Sequence, residues 1–309
     1  MGKASRTKVE STRREKIAAQ RAAERRAEKR KRILLAAGSV VVVLAVVLTF
    51  VIIKLNSKPS SSSSAQGLSN GPTGSALTAV VGKVTSVPAS ALDAVGDGGG
   101  AVTGKPTTIN GTALTANGKP EMFYMGAEYC PYCAAERWAM IVALSRFGTF
   151  TGLATVHSAV ANGAGQAEPD PNTATWTFAH TTYSSPYLTF TPVEIQTNIP
   201  DPSTGTYTLL QKPTAAQQAL VSKYDGSGGA IPFIDFGNHY VMSGVSYDPS
   251  VLAGLSWSTI ATDLSNPNSP VAKAIDGTAN YITAAICKMT GNQPASACTS
   301  TVQALESQI

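Results

Sequence analysis

The sequence has few cysteines and few charged residues for its length, and each shortage excludes a class of protein. Four cysteines in 309 residues are too few for a disulfide-dense miniprotein. A charged fraction of 14% beside a hydrophobic fraction of 43% excludes a chain that is disordered throughout. The glycines and prolines follow no G-X-Y period, which excludes collagen. What is present suffices for one or two ordinary domains.

Positive charge is concentrated at one end of the chain. Residues 1–32 contain thirteen Lys and Arg against four Glu, a net of +9, whereas residues 33–309 contain eleven against fifteen Asp and Glu, a net of −4. A basic body that binds nucleic acid through its phosphates is therefore excluded. The arm 1–32 is expected to be a cytoplasmic helix on anionic lipid head groups, with a cytoplasmic partner or a nucleic-acid contact as the alternative.

Residues 33–53 are predicted to form a transmembrane anchor helix. These 21 residues carry no charge, and at 1.5 Å per residue they span about 30 Å, the thickness of a bilayer core. Because Lys and Arg crowd the preceding segment, the positive-inside rule places the N-terminus in the cytoplasm. The chain is thus expected to be a single-pass protein of the cell membrane with a signal anchor and an extracytoplasmic domain. The alternative, a cleaved signal peptide, would have a shorter apolar region.

The extracytoplasmic part is predicted to begin with a tether. Residues 54–78 are rich in Ser, Gly and Pro and have few large apolar side chains, which is typical of a flexible linker. Residues 79–309 form the predicted domain. Its first segment, 78–96, is expected to give a short strand and then a short helix from Pro88.

The centre of the domain has a clearer pattern of elements. Residues 121–126 are apolar and aromatic and predict a buried strand. A helix is predicted to begin at Pro131 and to end at Gly148. Residues 153–160 predict a second strand, and 161–213 predict an insertion of irregular and β structure.

The remaining segments predict a helix, a hairpin and a helical C-terminus. Residues 213–224 favour a helix. Residues 228–238 and the following segment, joined by a Gly-Asn turn, favour a β-hairpin. The last seventy residues contain three segments with helical patterns, 256–265, 269–276 and 277–289.

The pair Cys130-Pro-Tyr-Cys133 carries the main chemical signal. It lies at the start of a predicted helix, where unsatisfied N–H groups and the helix dipole favour a thiolate. Two intervening residues allow the sulfurs to form a small disulfide ring. Cys130 would attack a substrate disulfide and Cys133 would resolve the mixed disulfide. A structural disulfide and half of a zinc site are the alternative interpretations.

These residues resemble the thioredoxin-like superfamily. The resemblance covers the strand 121–126, the cysteine pair with its helix, the strand 153–160 and the hairpin that begins at Ile231-Pro232. It implies a mixed α/β fold, a central sheet flanked by helices, with an insertion and a helical C-terminal extension. It also implies that Pro232 follows a cis peptide bond and faces Cys130 and Cys133. The layout is similar to that of membrane-anchored, extracytoplasmic thioredoxin-like proteins of prokaryotes.

The function implied is that of an enzyme, a thiol–disulfide oxidoreductase acting on the thiols and disulfides of exported proteins. No bound cofactor is expected, because the cysteines carry the electrons. Since one span cannot pass electrons across a bilayer, a membrane redox partner or a small thiol is implied. A non-catalytic binding or chaperone module is the alternative. A copper-handling protein is disfavoured, because such proteins use a longer cysteine spacing.

Other reactive side chains receive plainer interpretations. Cys287 and Cys298 are expected to form a structural disulfide, with a second redox pair as the alternative, and sequence does not choose the pairing. Glu128 and Glu136 flank the cysteine pair and could relay a proton, although each is expected to be a solvated carboxylate. The histidines, at positions 157, 180 and 239, are expected to be ordinary residues rather than ligands, and only His239 lies near the Pro232 strand.

Overall fold

The computed structural model describes residues 67–225 and 229–309. The predicted arm 1–32, the predicted anchor 33–53 and most of the predicted linker lie outside the described residues. Within them, no single helix has the length and apolar character to cross a membrane, although one pair of helices bent by 56°, Gly74–Thr85 with Ala89–Val95, meets those two criteria together.

The described residues form seven α-helices, two 3-10 turns and twelve strands. The helices are α1 Gly74–Thr85, α2 Ala89–Val95, α3 Pro131–Leu144, α4 Ala215–Tyr224, α5 Trp257–Asp263, α6 Pro270–Thr290 and α7 Ser300–Leu305, and the 3-10 turns are Pro249–Leu252 and Glu306–Gln308. The strands are β1 Thr107–Thr108, β2 Thr115–Ala116, β3 Lys119–Gly126, β4 Thr149–Thr151, β5 Ala154–His157, β6 Ala174–Thr177, β7 Thr182–Ser184, β8 Thr189–Glu194, β9 Gln196–Asp201, β10 Thr206–Leu209, β11 Phe233–Phe236 and β12 Tyr240–Ser243.

A mixed six-stranded sheet forms the centre of this α/β domain. Strand β3 lies between β8, which runs parallel to it, and β11, which runs antiparallel, and β12 and β1 continue the sheet beyond β11. The sixth strand, β2, pairs with the start of β3. Parallel neighbours need a long crossover, and here the crossover from β3 to β8 contains α3. The predicted hairpin is present, with β11 and β12 joined at Gly237 and Asn238, which both have positive φ.

Both faces of the sheet are covered, as the residues of β3 show. Met122 and Tyr124 belong to the large core cluster that contains α3 and α6, whereas Phe123 and Met125 belong to a second cluster with Val221 of α4. Alternate residues of a strand point to opposite faces. Strand β3 is therefore buried on both sides, which explains its continuous apolar sequence.

One predicted strand is a helix, and another predicted strand lies outside the central sheet. The predicted strand after residue 78 is part of helix α1, whose buried residues Val80 and Val84 are four positions apart, the spacing of a helix face rather than a strand. Helix α1 also begins at Gly74, inside the predicted linker. The predicted strand 153–160 is present as β5, and it pairs with β6 rather than with β3.

The parallel partner of β3 is instead β8, which lies inside the segment predicted to be an insertion. Strand β8 contains Pro192. In the structure β8 pairs with β3 alone in this sheet, and an edge strand tolerates a proline because one row of its N–H groups needs no partner. The additional β structure of the crossover consists of β4 to β7.

Helix α6 spans two of the predicted C-terminal segments, because Gly277 does not end it. A Cβ atom at Gly277 would lie 2.7 Å from the Cα atom of Gly98. The lack of a side chain at Gly277 therefore allows the loop after α2 to lie directly on α6. Helices α6 and α3 pack against each other on the same face of the sheet.

Candidate functional site

The cysteine pair lies where β3 ends and α3 begins. Cys130 is the N-cap residue of α3, and its Sγ atom accepts a hydrogen bond from the backbone N–H of Cys133 at 3.3 Å. Pro131 occupies the first helical position, where its missing N–H needs no partner. The local sequence therefore aims the helix N–H groups at the first sulfur.

Both cysteines are free thiols and both are buried, with 4% of Cys130 and none of Cys133 exposed. Burial raises the pKa of Cys130. The S–H and N–H donors of Cys133, with the charge of Arg137 and the N–H of Tyr132, outweigh burial and hold this pKa below its ordinary value. Burial, followed by the hydrogen bond to Cys130, raises the pKa of Cys133 well above its ordinary value. The two thiols are thus strongly unequal.

The segment before β11 approaches Cys130 from a distant part of the chain. The Sγ atom of Cys130 lies 3.9 Å from the carbonyl oxygen of Ile231, which is 101 positions away in sequence. The peptide bond between Ile231 and Pro232 is cis. The structure thus brings Cys130, Cys133 and the start of the Pro232 segment to one site.

The walls of the site are mainly apolar. Ala127 is buried with the two cysteines, and Tyr129, Ile195 and Ile231 pack against them. An open groove of about 670 Å³ continues beside Ile195 and is lined also by Met125, Leu209, Leu210 and Pro213. Lys212 is the charged residue of this lining. Leu209 is 79% exposed, so the groove presents apolar surface to solvent.

A buried ion pair lies beneath the cysteines and was not predicted. The Nε atom of Arg137 donates to Oε1 of Glu194 at 2.8 Å, and its Nη2 atom donates to Oε2 at 2.9 Å. Both side chains are completely buried. The sequence signal was an arginine that follows Glu136 in a mainly apolar helix, since a buried charge needs a partner. The partner could not be named without knowing that β8 pairs with β3.

The prediction that Glu128 and Glu136 are solvated was wrong, because both carboxyls are buried. Glu136 accepts hydrogen bonds from the backbone N–H and the hydroxyl of Ser246 at 3.1 and 3.0 Å. Oε2 of Glu128 has no hydrogen-bond partner among the described residues. Burial is the main cause that raises the pKa of each carboxyl to about 7. A proton relay through either residue stays a prediction.

Cys287 and Cys298 form a disulfide, and it lies away from Cys130. Both residues are buried, and their Cα atoms are 5.8 Å apart. Met289, two residues after Cys287, lies against Gly237 at the far end of β11. Ile231 and Gly237 are six positions apart, which is roughly 20 Å of extended chain. This separation argues against a direct exchange between the two cysteine pairs.

Among the described residues, none of the histidine side chains is hydrogen-bonded to the cysteine pair. Nδ1 of His157 is 2.9 Å from the carbonyl oxygen of Ser158, and His180 is exposed. His239 is exposed and follows the turn at the far end of β11. Across 67–225 and 229–309, no group of three or more His, Cys, Asp or Glu side chains has the arrangement of a metal site.

The fold and the site define an α/β domain in which a dithiol begins a helix beside a mixed sheet. Residues 105–288 match the family model described as a domain of unknown function, DUF929, and the chain belongs to this family. The matched segment contains both free cysteines, Arg137, Glu194 and the Ile231-Pro232 segment. Neither the search of curated proteins nor the search of solved structures gave a match.

Proposed function

We propose that the chain is a membrane-anchored, extracytoplasmic thiol–disulfide oxidoreductase of the thioredoxin-like superfamily. The observation that carries this proposal is the inequality of the two thiols. Cys130 has a lowered pKa at a helix N-terminus, whereas Cys133 is completely buried with a raised pKa. An attacking thiol needs thiolate character, and a resolving thiol has to stay protonated until the mixed disulfide forms.

The order of the elements supports the superfamily assignment. A buried strand, β3, leads into the cysteine pair and α3, and the chain returns through β8, parallel to β3. The Ile231-Pro232 segment then reaches Cys130 and leads into the hairpin of β11 and β12. This is the sequence of elements that the resemblance implied, with β8 in place of the predicted strand 153–160.

The proposed reaction is a two-step exchange. The thiolate of Cys130 attacks one sulfur of a substrate disulfide, so a bond between Cys130 and the substrate forms and the substrate disulfide breaks. The thiol of Cys133 then gives its proton to solvent and attacks Cys130, which releases the second substrate sulfur as a thiolate. The substrate gains two electrons and the protein becomes a disulfide. The reverse sequence oxidises a substrate dithiol.

The proposed substrates are exported proteins, because the predicted topology places the domain outside the cell. A membrane redox partner or a small thiol would return the pair to its starting state. The buried, mainly apolar surroundings of Cys130 favour a substrate segment that can be inserted beside Ile231.

Trapping of intermediates tests this function. In the Cys133→Ser variant of the full chain, mixed disulfides between Cys130 and exported proteins should accumulate, because the resolving attack is lost. The Cys130→Ser variant is the matched control and should trap nothing. If Cys133→Ser traps no more than Cys130→Ser, the oxidoreductase proposal is wrong.

A non-catalytic binding or chaperone module is the second candidate, and the apolar groove beside Ile195 favours it. Such a module would bind unfolded polypeptides whether or not its cysteines are present. Equal binding of an unfolded, cysteine-free polypeptide by the wild-type chain and by Cys130→Ser, together with no trapping, would favour this function.

A further inference from the structure

Arg137 lies one helical turn beyond Cys133 on α3. Residues four apart share one face of a helix. The side chains of Arg137 and Cys133 therefore leave α3 on the same face. Its Nη2 atom donates to the carbonyl oxygen of Ala127 at 2.5 Å, and Ala127 packs directly with Cys130 and Cys133. The cation is therefore at the base of the cysteine site.

Glu194 holds this cation in a fixed place. Strand β8 pairs in parallel with β3, and Glu194 lies opposite Gly126 in that register. The carboxylate accepts two hydrogen bonds from Nε and Nη2 of Arg137, which fixes the plane of the guanidinium. The remaining nitrogen, Nη1, is buried and has no hydrogen-bond partner among the described residues.

An unpaired buried N–H group is costly, so its retention needs a reason. The resolving step creates a negative charge on the sulfur of Cys133. This side chain is completely buried, and burial alone strongly favours the neutral thiol. A fixed cation nearby favours the thiolate, and this is the direction in which Arg137 acts on both cysteines. Glu194 acts on Cys133 in the opposite direction and less strongly than Arg137.

We propose that Arg137, held in place by Glu194, is a positioning residue that stabilises the thiolate of Cys133 in the resolving step. The inference rests on the proposed oxidoreductase function and assigns a part of its mechanism to two residues that do not touch the substrate. It predicts that the two charges have opposite effects on one measurable step.

The reaction of the full chain, in detergent, with dithiobisnitrobenzoate tests this proposal. It separates the attack by Cys130 from the resolving attack by Cys133. The thiolate of Cys130 attacks the reagent disulfide, releases one coloured thiolate and keeps the other half as a mixed disulfide. The thiolate of Cys133 then attacks Cys130 and releases the second coloured thiolate. Because Cys287 and Cys298 are bridged, both phases report on the pair alone. The rate of the second phase is measured as a function of pH. The midpoint of this profile is the pH at which half of the Cys133 thiol is ionised.

Four proteins should give midpoints in a fixed order. Glu194→Gln should have the lowest midpoint, then wild type, then the double variant Arg137→Met/Glu194→Gln, then Arg137→Met. At a fixed pH below the midpoint, each upward shift of the midpoint by one pH unit should lower the rate of the second phase about tenfold. Arg137→Lys keeps the charge and should lie closer to wild type than Arg137→Met does. Asp276→Asn, a change at a buried carboxyl of α6 that has no part in the site, should leave the midpoint unchanged.

The order distinguishes an electrostatic role from general damage, because damage would not lower the midpoint of Glu194→Gln. A common midpoint for wild type, Glu194→Gln and the double variant would overturn the proposal for Arg137. If Arg137→Met does not fold, the double variant and Glu194→Gln must still lie on opposite sides of wild type. Absence of both phases in wild type would instead overturn the proposed function.

Discussion

The ring of Tyr129 stacks on the ring of Tyr207, with centroids 4.1 Å apart and planes inclined by 9°. Tyr129 directly precedes Cys130, and Tyr207 belongs to β10 in the long segment between α3 and α4. The hydroxyl of Tyr207 donates to Glu168 at 2.5 Å. The segment predicted to be an insertion thus supports the loop that carries the attacking cysteine.

Removal of this support should destabilise the domain. Tyr207→Ala should lower the free energy of unfolding by about 3 kcal/mol, because a buried aromatic ring and its stacking partner are lost. Tyr207→Phe keeps the ring and loses only the hydrogen bond to Glu168, so it should cost about 1 kcal/mol. Urea unfolding measures both values, and equal losses in the two variants would show that the stack is not the source of the stability.

The reactivity of Cys130 should depend on the donor that Cys133 provides. In Cys133→Ser a hydroxyl can still donate to Sγ of Cys130, whereas in Cys133→Ala only the backbone N–H remains. The pKa of Cys130 should therefore be higher in Cys133→Ala than in Cys133→Ser. The rate of alkylation by iodoacetamide as a function of pH measures this difference. Indistinguishable profiles would mean that the side chain of Cys133 does not tune Cys130.

Asp276 should make the domain more stable in acid than at neutral pH. Neither carboxyl oxygen has a hydrogen-bond partner among the described residues, and burial raises the pKa to about 8. The folded state binds this proton more tightly than the unfolded state does. The stability that the neutral carboxyl contributes is complete below about pH 4, the ordinary value for Asp, and is lost as the pH rises from there to about 8.

Asp276→Asn should therefore equal wild type near pH 4 and exceed its stability by on the order of 2–4 kcal/mol near pH 8. Thermal unfolding across this range measures the difference. Asp97→Asn changes an exposed carboxyl and serves as the control. Its stability as a function of pH should coincide with that of wild type. A constant difference between Asp276→Asn and wild type at all pH values would contradict the linkage.

The disulfide between Cys287 and Cys298 should contribute to stability and not to the reaction. Replacement of both residues by Ala should lower the free energy of unfolding by about 3 kcal/mol in the chain-entropy model. The rate at which Cys130 is alkylated should stay at the wild-type value, because the two pairs lie at opposite ends of β11. A changed rate in the folded variant would reopen the possibility of a second redox pair.

The sequence predicted the parts of the fold that depend on local signals. The apolar strand, the Pro131 start of α3 and the Gly-Asn turn of the hairpin are each encoded by a few adjacent residues. The partner of β3 was not predictable in this way, because β5 and β8 both have strand-like composition. Which of them joins the sheet is decided by tertiary packing.

The candidate site divides along the same line. Cys130 and Cys133 were identified from their spacing, and Pro232 from the resemblance. Arg137 and Glu194 are 57 positions apart, and their pairing follows only from the parallel register that places Glu194 opposite Gly126. The burial of Glu128 and Glu136 likewise depends on elements remote in sequence. Their residue type alone therefore predicted solvated carboxylates.

The contact between Gly98 and Gly277 limits how the sequence of this domain can change over time. A methyl group at either position would meet backbone atoms, at 2.7 Å from Gly98 for position 277 and at 2.5 Å from the carbonyl oxygen of Lys273 for position 98. Neither obstacle is a flexible side chain that could turn away. A single substitution at one position is not compensated by a change at the other, since both are already at the smallest size. Among folded descendants of this chain, these two glycines should be substituted less often than the apolar residues around them. A change in size of an apolar side chain can be compensated by a change in its neighbour.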